Sequence, residues 1–418
     1  MTSARSSRTR DAAFNSAPRV LLTNAEERSM LAVTRCLHTG GYRVTAASPT
    51  QLAPGQWSRA CDRRVRIPDA RSDAPGFLKG LRRELESNRY ETLIAGSDSA
   101  LLAISRDRTQ LEELTRLGLP PHAMVQASLN RERLAEAAAQ VGFTPAMSIR
   151  CSNRHEVLAA AEEWGFPIVL KSADAAIGGA LQSVQAVPKS HVVCDPKELV
   201  EALSSFVGDL LVQRYLRGML LSFGGVIAKG QLLGLAVSRY HRTWPPSGGS
   251  LSYGETVSPP AVLEDLVEHL LDVLKWEGIF ELELIQKDAD GRVGEAGAFV
   301  PIDLNPRPYG SMTLARAAGA PLASIWCDWL LERSPPNTSR PIRALAGYRY
   351  RWEDGDLRHL WWQLRRGHLR AAAVPLRPHR RVIHAHYERT DPMPLLARGL
   401  FLGMRTIRPP AQVESSAA

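Results

Sequence analysis

The stretch that most constrains the fold is 278–310, GIFELELIQKDADGRVGEAGAFVPIDLNPRPYG. Its first part alternates, with Glu281, Glu283 and Ile285 on one face of a strand and Phe280, Leu282 and Leu284 on the other. Asp288-Ala289-Asp290-Gly291 is turn chemistry, and a return strand follows at 300–304. Alternation there puts Asp303, Asn305 and, where the backbone stays extended, Arg307 on one side. The spacing therefore predicts a β-hairpin with Glu283 on one strand and Asp303 and Asn305 on the other. An all-oxygen cluster of this kind suits Mg²⁺, which takes a few carboxylates together with phosphate oxygens. Arg307 sets a cation beside it, suited to charge on a phosphoryl group in transfer. The competing reading is a hairpin whose carboxylates face water. Asp-Leu-Asn-Pro-Arg set among apolar residues is unusual for such an edge.

A chain of 418 residues with 44% hydrophobic content is long enough for two or three domains with sizeable cores. Its net charge is +9, from 52 Lys and Arg of which only seven are Lys. A basic balance suits nucleic acid, but equally a nucleotide and anionic substrates. Basic runs with interleaved aromatics and zinc-finger spacings are missing, so nucleic acid is not an expected partner. The five cysteines, Cys36, Cys61, Cys151, Cys194 and Cys327, are scattered and odd in number. That pattern predicts reduced thiols and a cytoplasmic protein. No stretch approaches the length of a membrane span, and no membrane partner is expected. Residues 1–17 are rich in Ser and Arg without an apolar segment, and read as a disordered tail.

Along the chain, a strand at 19–23, a helix at 26–39 ended by Gly40-Gly41, and a strand at 42–47 form a βαβ unit with parallel pairing. A helix at 76–87 and a strand at 92–95 repeat the pattern. Asp98 then lies at the carboxyl end of the sheet, where open α/β sheets bind ligands, although an N-cap role explains it equally well. Without a GxGxxG after the first strand, a dinucleotide site is not expected. Residues 117–126, with Pro120-Pro121, read as a linker. Beyond it come a helix at 130–141, a strand at 145–150, a helix at 154–164 and strands at 168–172, 182–187 and 210–216. A hairpin at 222–237 around Lys229-Gly230, a long loop at 239–254 and a helix at 263–275 lead to the hairpin described above. Helices at 312–318 and 322–331 follow. The Pro-rich 334–341 marks a boundary, and 343–404 is rich in Arg and Trp with two helix-like stretches. The fold class is α/β.

Lys171 ends the apolar run Phe166-Pro167-Ile168-Val169-Leu170 in a chain with few lysines. A cation at the end of a buried strand has an anion to meet, or else snorkels to the surface. Gly178-Gly179, in the loop after it, permits close backbone approach to oxygens. Arg239 and Arg242, with His241 between them, could neutralise a carboxylate or an acyl phosphate; a solvent-exposed basic loop is the alternative. Glu255 lies close by. His379, His384 and His386 read as surface or strand histidines, since no Cys or acidic partner has ligand spacing. Trp361-Trp362 reads as core or interface.

Glu283 followed by Ile302-Asp303-Leu304-Asn305-Pro306-Arg307 resembles the metal-binding signature of the ATP-grasp superfamily. The commoner form there is Glu-Ile-Asn-Pro-Arg, so Asp303 stands for a usual Glu. Tyr309-Gly310-Ser311 and Ala317-Ala318-Gly319 resemble the carboxylate–amine/thiol ligase branch. The resemblance spans about 18–400 and is strong only in this segment.

It implies a Rossmann-like domain at 18–126, a two-lobed ATP-grasp domain at 127–333 and a small C-terminal extension at 334–418. It implies ATP as cofactor, with Mg²⁺, or Mn²⁺ in its place, on Glu283, Asp303 and Asn305. Lys171 would contact the phosphates, Arg131 would stand where relatives carry a phosphate-binding Lys, and Gly178 and Gly179 would belong to the phosphate cover. Gln213, Arg214, Tyr215 and Leu216 resemble the segment whose backbone reads adenine. Arg307 and Arg242 would act on the transferring group and the acceptor. Met219-Leu220-Leu221 lacks the acid that relatives use for the ribose. The implied activity is an ATP-dependent carboxylate–amine ligase joining a small-molecule carboxylate to an amine or similar nucleophile, as a monomer or homodimer. A carboxylase or carbamoyl-phosphate-type enzyme and a non-catalytic nucleotide-binding regulatory protein are the alternatives.

Overall fold

The computed structural model describes residues 17–173, 190–204, 208–246, 248–287, 298–333, 341–376 and 382–407. Three sheets organise them. The first is parallel: β1 (Arg19–Leu22), β2 (Arg43–Ser48), β3 (Arg63–Arg66) and β4 (Thr92–Ile94), in the order β3-β2-β1-β4. The helix Arg28–Thr39 makes the first crossover and buries Met30, Val33 and Leu37. This confirms the βαβ reading. The edge strand β3, with sequence RRVR and mostly exposed, was not expected.

The second sheet is antiparallel and small: β5 (Ser148–Cys151), β6 (Ile168–Ser172), β7 (Ser190–Val193) and β8 (Leu210–Arg214), in the order β5-β8-β6-β7. With the helices Arg154–Trp164 and Pro196–Leu203 it closes around a core of its own, including Val157, Leu170, Leu199 and Val212. The strand expected at 182–187 lies outside the described residues.

The third sheet is the largest. It contains β9 (Met219–Ala228), β10 (Gln231–Trp244), β11 (Ser250–Val257), β12 (Gly278–Gln286), β13 (Phe299–Asn305), β14 (Ile342–Arg343), β15 (Arg349–Arg351) and β16 (Val382–His384). Its order is β13-β12-β9-β10-β11-β15-β16, with β14 alongside β10. Its apolar face, with Phe223, Phe280 and Leu282 fully buried, shares one core with Leu21, Phe77 and Leu81 of the first domain. The β9–β10 turn has Lys229 at φ 50° and Gly230 at φ 72°, the left-handed pair that a two-residue hairpin turn requires.

Two expectations are corrected. Residues 239–254 are not a long loop, because β10 runs on to Trp244 and pairs with β11 through an irregularity on either side of Arg242. The linker at 117–126 is partly helical, since a helix spans His122–Leu129 directly after Pro121. The C-terminal residues supply β14, β15 and β16 to the third sheet, in addition to the helices Glu353–Arg365 and Met393–Ile407. No helix among the described residues is long and apolar enough to cross a membrane.

Candidate active site

The two strands of the hairpin read from the sequence are present, and the turn expected at 288–291 lies outside the described residues. β12 pairs antiparallel with β13, setting Glu283 opposite Asp303 and Glu281 opposite Asn305. Opposed residues share a face, so three carboxylates and one amide line the same side. On β12's other flank Ser222 and Gly224 of β9 pair with Glu283 and Glu281. The Tyr240 hydroxyl donates to Glu283 Oε1 at 3.2 Å. Burial, then Glu281 and Glu283, push that phenol well above its ordinary pKa, so it stays a donor.

Lys171 reaches this face from the small sheet. It ends up 7% exposed, and its Nζ donates to the Ile302 carbonyl at 2.8 Å, next to Asp303. Burial pulls its pKa down to about 8; Asp303 and Glu283 oppose the fall and Arg131 adds to it. Arg131 opens the helix Arg131–Gln140, whose N-cap is the Asn130 side chain. Its guanidinium donates to the Ser172 carbonyl at 2.7 Å and lies 3.4 Å from Asp303. One helix start, one strand end and the hairpin therefore meet at a single point. Arg131, Leu134, Lys171, Leu211, Gln213 and Ile302 line a recess of about 320 Å³ there, solvent at its mouth included. Gln213 shares a strand face with Lys171, through the pairing of Val169 with Gln213 and Lys171 with Leu211. Arg214, Tyr215 and Leu216 carry the chain from β8 toward β9, out of the small sheet and into the large one. Gly178 and Gly179 lie outside the described residues.

Arg307 follows the end of β13. Its Nε donates to Asp98 Oδ1 at 2.5 Å, and its Nη2 to Asp98 Oδ2 at 3.3 Å and to Asn305 Oδ1 at 3.2 Å. Burial works against the guanidinium charge, but the Asp98 carboxylate more than offsets it and raises the pKa. Ser97, not Asp98, caps the helix Asp98–Arg106, which leaves Asp98 in its first turn for Arg307. The first domain thus contributes a carboxylate to the same site, a contact over 209 residues that no local pattern shows.

Arg242 is held elsewhere. Its guanidinium pairs with Asp356 of the helix Glu353–Arg365 and lies 5.4 Å over the Tyr253 ring. Arg239 and His241 pair with Glu255. His384 and His386 face Glu353, with His386 almost fully buried; His379 lies outside the described residues. Trp361 is exposed, and Arg365 lies 5.1 Å over its ring.

Among the described residues no three His, Cys, Asp or Glu side chains gather into a metal cage. The donor set at the hairpin is two carboxylates and an amide oxygen. That set fits a hard cation completing its shell with water or phosphate oxygens, as Mg²⁺ does.

Neither a family model nor a curated protein matches the sequence. Solved structures do. N5-carboxyaminoimidazole synthetase from Staphylococcus aureus, complexed with ADP, superposes with a TM-score of 0.57 at 12% identity, over 79% of this chain and 80% of its own. The L-amino acid ligase from Bacillus licheniformis gives 0.57 at 15%, over 78% and 77%. The biotin carboxylase domain of Hydrogenobacter thermophilus 2-oxoglutarate carboxylase, crystallised as a dimer with MgADP and bicarbonate, gives 0.57 at 15%, over 79% and 73%. The likeness is one of fold: a parallel α/β sheet followed by a small antiparallel sheet and a large one that carries the paired Glu283–Asp303 strands.

Proposed function

We propose that this chain is an ATP-dependent carboxylate–amine ligase. The observation that carries the reading is the meeting of Lys171, from the small lobe, with the Glu283–Asp303 pair of the large one. A cation buried beside carboxylates, with Arg131 at the same point, is a site in want of an anion that brings its own metal. A nucleotide phosphate chain is such an anion. The ADP and MgADP in the solved neighbours support the same choice.

In the reaction, a carboxylate oxygen of the first substrate attacks the γ-phosphorus of ATP. The bond to the β-γ bridging oxygen breaks, ADP leaves, and an acyl phosphate forms. An amine then adds to the acyl carbon, phosphate departs with the C–O bonding pair, and the nitrogen loses a proton. Mg²⁺, when bound, neutralises charge on the phosphate oxygens. The protein's part is placement. Lys171 and Arg131 hold the phosphates from the small lobe. Glu283, Asp303 and Asn305 would present oxygens to the metal. Arg307, fixed by Asp98, offers a guanidinium to the transferring group without reorganising. Gln213 lines the recess, and the backbone of Arg214, Tyr215 and Leu216, which follows it in the chain, would read the base. Arg242, bound to Asp356, holds the helix Glu353–Arg365 against β10.

The test is ADP release, coupled to NADH oxidation, across pools of small carboxylates and amines, with hydroxylamine present to trap an acyl phosphate as hydroxamate. Turnover that depends on a carboxylate and falls at least about 100-fold in Lys171→Ala, a few kcal/mol in the barrier, is the expected result. Tight ATP binding without turnover in any pool would assign the site to a nucleotide sensor.

A further inference from the structure

Glu281 lies two residues before Glu283, on the same face of β12, and is 6% exposed. A buried carboxylate is costly unless its oxygens are satisfied. Here Oε1 accepts from the Ser222 hydroxyl at 2.7 Å, and Oε2 accepts from Asn305 Nδ2 at 3.2 Å. Asn305 turns its Oδ1 to the Arg307 guanidinium, 3.2 Å away. A carboxylate only accepts and a guanidinium only donates. One orientation of the Asn305 amide satisfies both neighbours, with the NH₂ toward Glu281 and the oxygen toward Arg307.

The surroundings hold Glu281 in place. Gly224 pairs with it on β9, and the Tyr309 ring fills the space where a Gly224 side chain would stand. Tyr309 is itself 2% exposed. The orientation matters because Asn305 is the one neutral member of the donor set. Reversed, its amide would point two N–H groups at an incoming cation. In the orientation fixed here, the oxygen keeps a second lone pair after serving Arg307.

We propose that Glu281 is a positioning residue for the metal, holding Asn305 so that a divalent cation meets its carbonyl oxygen; this rests on the nucleotide and metal site proposed above. Outer partners that orient a ligand commonly change metal affinity about 10–100-fold when removed. The test titrates Mg²⁺ into protein with ADP and reads the Mg²⁺ concentration needed for tight ADP binding, beside ADP affinity without metal. Glu281→Met keeps the length of the side chain and removes the acceptor. It should need about 10–100-fold more Mg²⁺, with metal-free ADP affinity unchanged. Glu281→Gln keeps an oxygen for Asn305 and should stay within about threefold of the wild type. Asn305→Ala sets the ceiling, and adding Glu281→Met to it should raise the Mg²⁺ requirement no further.

A Met variant with the wild-type requirement, a Gln variant as impaired as Met, or additive losses in the double variant would overturn the proposal. If Glu281→Met does not fold, as judged by thermal melting, Glu281→Ala takes its place in the same titration. Wild type that binds ADP with no response to Mg²⁺ would instead remove the metal site itself.

Discussion

Lys171 sits charged in a place that disfavours charge, and this has a measurable consequence. Its pKa falls from 10.5 in the unfolded chain to about 8 in the folded one. Below pH 8 both states hold the proton, and the folded state bears the full burden of the buried ammonium. Between pH 8 and 10.5 the unfolded chain binds more protons than the folded one, so stability contributed at this residue rises with pH. At about 1.4 kcal/mol per pH unit, the gain is about 3 kcal/mol once both states are neutral, and about 2 kcal/mol by pH 10. Lys171→Met removes the titration while filling the site. It also leaves the Ile302 carbonyl without its donor, a cost of about 1–3 kcal/mol that does not depend on pH. The assay is urea unfolding of wild type and Lys171→Met at intervals from pH 7 to 10. Other groups titrate alike in both proteins and cancel in the difference. Wild type should gain on the variant by about 2 kcal/mol. A difference constant to within about 0.5 kcal/mol would refute the burial argument. Nucleotide phosphates would restore the lysine's charge, so ADP binding near pH 9 should take up a proton in wild type and none in the variant, as read by calorimetry in buffers of unlike ionisation enthalpy.

Arg35, 3% exposed, donates from Nε to Asp391 at 2.9 Å and from Nη2 to the His386 carbonyl at 2.9 Å, joining the first domain to the C-terminal residues. Arg35→Ala should cost about 3–5 kcal/mol in chemical denaturation, and a loss below about 1 kcal/mol would contradict the clamp. A Cβ on Gly224 would lie 2.0 Å from the Tyr309 hydroxyl oxygen and 2.2 Å from the ring carbon bearing it. Gly224→Ala should therefore destabilise by about 1–3 kcal/mol, and Tyr309→Leu in the same chain should recover part of it. An unchanged melting temperature in the single variant would show that the ring moves freely.

The paired strands β12 and β13 were legible because the alternation of β12 is strong: Phe280, Leu282 and Leu284 are all fully buried, and their neighbours carry the carboxylates. Lys171 was legible as a rare lysine closing an apolar strand. The Asp98–Arg307 pair was not, since it depends on how two domains meet. The role of Glu281 was hidden for a related reason: its face follows from alternation, but its contact with Asn305 follows from strand register. The β10–β11 hairpin was missed because Pro245-Pro246 and Gly248-Gly249 read as loop, while Tyr240, Arg242 and Trp244 before them alternate without a clean apolar face. The strands β14, β15 and β16 are two or three residues long, too short for any period to register.

The central claim is that the lobes hold a metal-bound nucleotide between Lys171 and the Glu283, Asp303 and Asn305 cluster. Calorimetric titration of ATP, with and without excess Mg²⁺, into wild type and Asp303→Asn tests it most directly. The substitution keeps the shape of the side chain and removes one negative charge from the metal face. Wild type should show saturable binding that tightens with Mg²⁺, and Asp303→Asn should lose at least about tenfold of that tightening, about 1.4 kcal/mol, while metal-free binding is kept. No heat in wild type at millimolar ATP, or the same Mg²⁺ response in Asp303→Asn, would contradict it.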